Sequence, residues 1–255
     1  MEERKSGMAE EMVAQEYYCS FDTGQIGSFY TQEMQRMRAD KRIGDFPWMP
    51  DEQAVSVWDL GFRDDNFIIF AQPDGDYCRI IDCIGGSGRA LPHWVKTVKE
   101  QPYVYARHWA PHDIEQHDYS TGMERIDVAR KLGINFDVAP DMSLQDGIES
   151  TRTFLSRVRI NESQCGPLIA ALENYRREYD AKLKVFRKNP LHDWSSHAAD
   201  CFRYLALSWH LNRWTDTVGA EVKSRFKVIR SLDAGPKRRT LPRSSFQHPF
   251  RGTRS

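Results

Sequence analysis

The spacing of three β-rich segments between residues 55 and 84 limits the fold of this chain more than any other feature. Residues 55–60, 67–71 and 77–84 are rich in β-branched and aromatic side chains, which is typical of strands. The segments between them contain Arg63-Asp64-Asp65-Asn66 and Pro73-Asp74-Gly75-Asp76, which are turn-forming sequences. Strands joined by turns this short pair antiparallel. The sequence therefore predicts a three-stranded antiparallel meander.

Helix and strand patterns alternate after the meander. They predict helices at 90–100, 123–132, 144–158, 168–175 and 193–211, and strands at 103–109 and 134–138. Gly133 directly follows one predicted helix and suits its C-terminal end. The expected fold is α/β, with a mixed five-stranded sheet (an antiparallel three-strand meander plus two parallel strands) flanked by helices. This layout resembles the RNase H-like fold.

The two ends of the chain differ from this body. Residues 1–50 are polar and charged, with at most a short helix at 28–38, and are expected to be a lead-in. Residues 217–255 contain ten Lys or Arg and two acidic residues, 10 − 2 = +8, so in a chain of net charge zero the remainder carries −8. We expect a body at 51–212 and a basic, disordered tail at 213–255. The tail suits a polyanionic partner, although a merely solvated tail has the same composition.

Composition excludes several classes of protein. No apolar run approaches the roughly 20 residues of a membrane span, and the charged N-terminus does not resemble a signal peptide. The chain has five scattered cysteines and no C-x-x-C pair, so a zinc ribbon or redox dithiol is not expected: Cys19, Cys78, Cys83, Cys165, Cys201. Isolated cysteines are typical of a reducing cytoplasm, where we expect the protein to act without a membrane partner.

Three aspartates occupy positions from which carboxylates could converge. Asp59 ends the first predicted strand, Asp113 follows a strand that Pro111 terminates, and Asp200 lies within the last helix. Acids at strand ends and on a crossing helix can hold two divalent ions roughly 4 Å apart. Each also has an ordinary structural interpretation: a turn cap for Asp59, a loop or helix cap for Asp113, and a surface ion pair for Asp200.

The last predicted helix has two distinct faces. One is an apolar stripe of Trp194, Ala198, Cys201, Leu205 and Trp209, and the other carries Asp193, His197, Asp200 and Tyr204. Acid beside histidine and large apolar groups favours a functional site. Four other histidines have no partner at ligand spacing and are expected at the surface or in the core: His93, His108, His117, His210. Phosphate-binding, zinc-protease and serine-hydrolase motifs are absent, so no ATP site is visible.

Several segments together resemble the C-terminal nuclease domain of the large terminase subunit of tailed bacteriophages. The first is Val57-Trp58-Asp59-Leu60-Gly61; the second is Pro111-His112-Asp113 with Thr121-Gly122 and Arg125; the third is the longest, Pro190-Leu191-His192-Asp193-Trp194-Ser195-Ser196-His197-Ala198-Ala199-Asp200. Gln15-Glu16-Tyr17-Tyr18-Cys19-Ser20-Phe21-Asp22 resembles the end of the family's ATPase domain. Relatives often have a small residue where Cys201 stands.

The resemblance implies a metal-dependent endonuclease that cuts concatemeric viral DNA during genome packaging, in the host cell cytoplasm. It implies that Asp59, Asp113 and Asp200 are catalytic and hold two Mg²⁺ or Mn²⁺ ions. His112, His197 and Asp193 would be accessory residues. DNA contacts are expected from basic residues near the acids and in the tail: Arg63, Arg125, Lys237, Arg238, Arg239.

The resemblance also implies partners: double-stranded DNA, the terminase ATPase domain or subunit, the small terminase subunit and the portal protein. Two other classes stay open at this point. The chain could be another RNase H-like nuclease or recombinase, or a non-catalytic module that docks on a portal or DNA.

Removal of the tail provides a test of its role. Truncation after Thr215 is expected to weaken duplex DNA binding and to flatten its salt dependence, because each lysine or arginine that contacts a phosphate steepens that dependence. Titration of both forms at several salt concentrations measures this directly. Equal affinities and equal salt slopes would show that the tail does not contact DNA.

Overall fold

The computed structural model describes residues 27–61, 66–115 and 124–209. Six helices are described: α1 Thr31–Ala39, α2 Leu91–Lys99, α3 Arg125–Lys131, α4 Leu144–Leu155, α5 Gly166–Asn174 and α6 Ser196–Trp209. The strands are β1 Ile43–Gly44, β2 Ala54–Leu60, β3 Asn66–Asp74, β4 Tyr77–Gly86, β5 Tyr105–Ala110, β6 Phe136–Val138, β7 Val158–Asn161, β8 Arg177–Asp180 and β9 Val185–Pro190. A short 3₁₀ turn, His112–Glu115, follows β5.

The main sheet has seven strands in the order β1-β7-β4-β3-β2-β5-β6. The antiparallel meander β2-β3-β4 and the parallel additions β5 and β6 confirm the predicted core of the sheet. The predicted number of five strands is wrong, because β7 adds parallel to β4 and β1 adds parallel to β7. The mixed α/β architecture itself is confirmed.

Strand β7 interrupts what the sequence predicted as nearly continuous helix. Helix α4 ends at Leu155, and the predicted helix to residue 158 is wrong there. Val158 and Ile160 of β7 are buried, in register with Cys78 and Ile80 of β4. Two apolar residues in alternation are too short a pattern to distinguish a strand from the end of a helix, so only pairing with β4 decides the conformation.

Helices cover both faces of the sheet and define two cores. One core lies between the sheet and α1, α4, α5 and α6, and includes Val55 and Val57 of β2. The other lies under α2 and α3, and includes Trp58 and Leu60 of the same strand. The alternation of β2 side chains between two apolar layers makes it a central, doubly covered strand. No helix in the described ranges is both long enough and apolar enough to span a membrane.

Part of the expected lead-in belongs to the packed body. Phe29, Tyr30, Met34 and Met37 are buried in the core that includes α6, and Ile43 of β1 pairs with Ile160. The packed unit therefore begins well before residue 51, where we expected the body to start. Residues 1–26 and the tail lie outside the described residues.

A two-stranded hairpin, which the sequence analysis did not identify, precedes α6. Strands β8 and β9 pair antiparallel, and Leu183 and Val185 near its tip are exposed. Its base is joined to the body by hydrogen bonds from the Arg177 amide to the Gly27 carbonyl and from the Leu191 amide to the Arg176 carbonyl. Alternating charged and apolar residues on an exposed hairpin give no strong periodic signal, which explains the omission.

Strand β4 continues through Gly85 and Gly86, two residues beyond the predicted strand 77–84. Gly85 pairs with Phe67, and a Cβ at position 85 would lie 2.7 Å from the Phe67 ring. The Phe67 ring of β3 occupies the space that a Cβ at position 85 would need, so glycine is required here. This glycine allows the two strands to pair closely and does not form a turn.

Asp82 of β4 is a largely buried carboxylate outside the aspartate cluster discussed below. It accepts hydrogen bonds from the Tyr103 hydroxyl (3.1 Å) and from the Cys83 amide (2.8 Å). Burial raises its pKa to about 6, although both hydrogen bonds lower it. The charged carboxylate is therefore less favourable in the folded chain than in the unfolded chain.

The Asp82→Asn variant tests this cost. A folded-state pKa above the unfolded value means that the native state holds its proton longer, so wild type loses stability as pH rises from about 4 to about 6. Asparagine cannot ionise, so the variant does not have this loss. The free energy of unfolding of the variant minus that of wild type should therefore increase by about 2–3 kcal/mol between pH 4 and pH 7. Urea denaturation across this range measures the gap. A gap that is constant with pH would contradict the raised pKa.

Candidate active site

The close approach of α6 to β2 brings the first and third aspartates onto one face of the sheet. Ala198, Ala199 and Cys201 of α6 are buried against the sheet, and the Cys201 thiol donates a hydrogen bond to the Val57 carbonyl at 3.1 Å. Small side chains at these helix positions allow the helix to lie close to the strand backbone. Asp59 follows Val57 on the same face of β2 and therefore points toward α6.

Asp59 is a buried carboxylate in contact with a histidine of α6. Its Oδ2 lies 2.9 Å from Nδ1 of His197, and the two side chains are only 14% and 16% exposed. Burial raises the pKa of Asp59 to about 6, the His197 contact opposes this, and the charges of Asp200 and Asp113 raise it further. The charges of Asp113 and Asp200 therefore act on Asp59.

Asp113 reaches the same region from β5. Strand β5 runs parallel to β2, with Trp109 beside Val57, so the ends of both strands meet at one edge of the sheet. Pro111 ends β5, and Asp113 lies in the 3₁₀ turn that follows. Burial raises its pKa, against the charges of Arg125 and His112. Among the described residues its buried Oδ1 has no hydrogen-bond partner, which is costly unless a ligand or cation satisfies it.

Asp200 is held from the side of α6 that faces α4 and α5. Its Oδ1 accepts hydrogen bonds from the Tyr175 hydroxyl at 3.2 Å and from the Arg203 guanidinium at 3.0 Å. The ion pair with Arg203 spans three residues of the same helix, and the Arg203 side chain is 12% exposed. Asp200 thus has two donors on one oxygen.

Tyr204 lies among all three acids. Burial raises the pKa of its hydroxyl first, and the negative charges of Asp59, Asp200 and Asp113 contribute in the same direction, against Arg203. All three candidate carboxylates therefore lie within electrostatic reach of one side chain.

The remaining candidate residues have different positions. Asp193 precedes α6, accepts hydrogen bonds from the amide and hydroxyl of Ser195, and pairs with Arg176 at 3.3 Å. It therefore caps the start of the helix. His112 is mostly exposed, with Nδ1 4.0 Å from Asp141. Arg125 donates a hydrogen bond to the Leu60 carbonyl, next to Asp59. Four predicted DNA contacts lie outside the described residues: Arg63, Lys237, Arg238, Arg239.

The predicted faces of the last helix are corrected at its N-terminal end. The helix begins at Ser196, so Asp193 and Trp194 are not helical, and Trp194 is 48% exposed instead of part of the apolar stripe. The Asp193 amide donates to the Ser196 hydroxyl, and the Ser195 amide donates to the Asp193 carboxylate. These hydrogen bonds fix a turn immediately before the helix. Of the other four histidines, His108 is half-buried and hydrogen-bonded to Ser56, His93 is exposed, and His117 and His210 lie outside the described residues.

The donor set fits hard divalent cations. The charges of Asp113 and Asp200 raise the pKa of Asp59, and the buried Oδ1 of Asp113 has no hydrogen-bond partner among the described residues. A nearby cation would compensate both, and oxygen ligands are those that Mg²⁺ and Mn²⁺ prefer. Within the described ranges, however, no three Asp, Glu, His or Cys side chains stand at a spacing that would hold one ion. The Asp59 carboxylate contacts His197 and that of Asp200 contacts Arg203 and Tyr175, which are alternative ways to compensate the charge.

Two residues of this site were not found from the sequence. Arg203 follows Asp200 by three residues, a spacing at which an acid and a base on a helix meet, so its pairing was accessible to sequence reasoning. Tyr175 lies in the turn after α5, 25 residues before Asp200. No local pattern links residues that far apart, so only the tertiary structure brings them together.

Two solved structures share this fold. The large terminase of a thermophilic bacteriophage gives a TM-score of 0.55 at 16% identity over 81% of this chain and 51% of that protein, so the chain spans about half of its length. The nuclease domain of the P22 large terminase gives a TM-score of 0.52 at 16% identity over 66% of this chain and 86% of that domain. No family model and no curated protein matches the chain. The chain has the RNase H-like fold of large-terminase nuclease domains, which confirms the predicted fold.

The surroundings of two of the aspartates predict opposite effects on stability. Charge clustering alone predicts that both Asp113→Asn and Asp200→Asn hold or raise the free energy of unfolding without metal. Asp113→Asn should do so, because burial disfavours its charge. Asp200→Asn should instead lower it by about 1–3 kcal/mol, because the largely buried Arg203 loses its charged partner. Denaturation of both variants in EDTA measures the difference; equal effects would contradict the Arg203 pairing.

Proposed function

We propose that this chain is the nuclease domain of a large terminase subunit, a metal-dependent endonuclease that cuts concatemeric double-stranded DNA during viral genome packaging. The proposal is supported by the placement of Asp59 at the end of β2, of Asp113 after the neighbouring parallel strand β5 and of Asp200 on α6, in a chain with the terminase-nuclease fold. Three acids from two strand ends and a crossing helix are what two-metal phosphodiester hydrolysis requires.

Asp59, Asp113 and Asp200 would hold the two ions, Mg²⁺ or Mn²⁺. When bound, the metals supply Lewis acidity that lowers the pKa of the attacking water and stabilises charge on the leaving 3′ oxygen. Two observations support this assignment: Oδ1 of Asp113 is buried and has no partner among the described residues, and the pKa of Asp59 is raised. Both groups would gain from nearby positive charge.

The protein's own groups would prepare the carboxylates and hold the substrate. His197 orients Asp59 through the 2.9 Å contact of its Nδ1 and stabilises the carboxylate by hydrogen bonding. Arg125, beside Leu60 and electrostatically coupled to Asp113, is suited to contact a DNA phosphate at the rim. His112 and Asp193 are accessory at most, since one is exposed and the other caps α6.

The proposal includes the partners that the terminase resemblance implies. Double-stranded DNA is the substrate, and the ATPase domain or subunit, the small terminase subunit and the portal protein are the assembly partners. The same proposal divides the chain into a lead-in, a nuclease body and a basic tail. In it, Lys237, Arg238 and Arg239 of the tail contact DNA, and the protein acts in the host cell cytoplasm.

Plasmid cleavage by the purified chain tests this function. Supercoiled DNA should be nicked and linearised in Mg²⁺ or Mn²⁺, and EDTA should abolish the reaction. Asp59→Asn, Asp113→Asn and Asp200→Asn should each lower the rate by roughly 100-fold or more, because a neutral amide is a poor ligand for a hard cation. Asp82→Asn is the matched control, because it removes a buried carboxylate with the same raised pKa that contacts Tyr103 in the other core.

Cleavage by wild type and Asp82→Asn but not by the three variants supports the assignment. A folded wild-type chain that leaves DNA intact in both metals would contradict the proposed activity and favour a docking module. Full activity in any one of the three variants would remove that aspartate from the metal site.

A further inference from the structure

Asp200 uses its two carboxylate oxygens unequally. Within the described chain, both of its hydrogen bonds, from Tyr175 and from Arg203, fall on Oδ1. A carboxylate oxygen has two lone-pair positions, so two donors leave little capacity on Oδ1 for a further ligand. Oδ2 is then the oxygen of Asp200 that is available to a cation, and rotation of the carboxylate would break both hydrogen bonds.

The Arg203 side chain has a dedicated place between two helices. A Cβ at Gly147, in the middle of α4, would lie 2.7 Å from Cδ and 3.2 Å from Cγ of Arg203. Glycine inside a helix costs about 1 kcal/mol relative to alanine. Because Gly147 has no side chain, the Arg203 side chain can occupy the space next to it. The guanidinium also lies 5.0 Å from the centre of the Tyr204 ring, which covers it on another side.

Tyr175 is fixed just as closely. Its ring is buried and stacks on Tyr30 with 5.8 Å between ring centres, and it packs beside Phe29 at 5.3 Å. Its hydroxyl donates a hydrogen bond to Oδ1 of Asp200 at 3.2 Å. Two rigid donors from different elements therefore meet on one oxygen.

We propose that Arg203 and Tyr175 are positioning residues that hold Asp200 in a single orientation with Oδ2 free for a divalent cation, and that Gly147 provides the space for Arg203. This inference rests on the proposed metal-dependent function and extends it to residues outside the metal's own ligands. Arginine suits the role better than lysine because its planar, branched head can donate to Asp200 while the stem packs against α4.

Four variants separate positioning from mere stability. Arg203→Met removes the donor and keeps an unbranched chain, and Tyr175→Phe removes one hydroxyl. Gly147→Ala leaves all contacting groups chemically intact but places a methyl group where Arg203 lies. Arg159→Met is the matched control: it breaks a partly buried Arg–Asp pair, 2.6 Å to Asp74, near the opposite end of β3 from Asp59.

The readouts are Mn²⁺ affinity by calorimetry, kcat and KM for plasmid cleavage, and the unfolding temperature in EDTA. Arg203→Met and Gly147→Ala should weaken Mn²⁺ binding by roughly 10- to 100-fold, and Tyr175→Phe by roughly 5-fold. KM for DNA should stay constant, because an Arg203 side chain that is only 12% exposed offers little surface to DNA. Excess Mn²⁺ should restore cleavage by these variants but not by Asp200→Asn. Arg159→Met should lower only the unfolding temperature.

Unchanged Mn²⁺ affinity in the folded Tyr175→Phe and Gly147→Ala variants would overturn the positioning role even if Arg203→Met fails to fold. In that outcome wild type still binds Mn²⁺ and cuts DNA, so the proposed function stands. If wild type fails to bind Mn²⁺ or to cut DNA, both the positioning role and the proposed function are overturned. The wild-type measurements show this before any variant is compared.

Discussion

The contact between α6 and β2 is the interaction on which the rest of the site depends. Small buried residues of the helix, Ala198 and Cys201, lie directly on the strand, and the Cys201 thiol reaches the Val57 backbone. A bulkier residue at either position would push the helix outward and separate Asp200 from Asp59. The same contact places His197 against Asp59, so one packing interface sets the position of two acids and a histidine.

Charge compensation explains which residues surround the three candidate aspartates. Burial raises the pKa of both Asp59 and Asp113, and the surroundings of the three candidate aspartates differ. Asp59 contacts His197, Asp200 contacts Arg203 and Tyr175, and Asp113 retains a buried oxygen that the described residues do not satisfy. These contacts partly compensate the negative charge of Asp59 and Asp200 within the folded chain.

The elements that sequence reasoning located are those with strong local signals. The meander, the helix that ends at Gly133 and the strand before Pro111 depend on turns and on β-branched runs, which act over a few residues. Strands β1 and β7 and the hairpin β8–β9 have only two to six residues each, and weak periodicity. Their conformation depends on partners elsewhere in the chain, and the placement of α1 in the core likewise depends on distant contacts with α4 and α5.

The sequence by itself determined which residue types stand at the ends of β2 and β5 and along α6, and thereby the choice of Asp59, Asp113 and Asp200 as the candidate acids. Its periodicity also determined that the chain forms a mixed sheet with helices on both faces. Only the tertiary structure decided that His197 faces Asp59, that Tyr175 reaches Asp200, and that Gly147 makes room for Arg203. The physical reason is that local patterns specify backbone conformation and the face on which a side chain lies, whereas contacts across 25 to 138 residues arise only when packed elements approach one another.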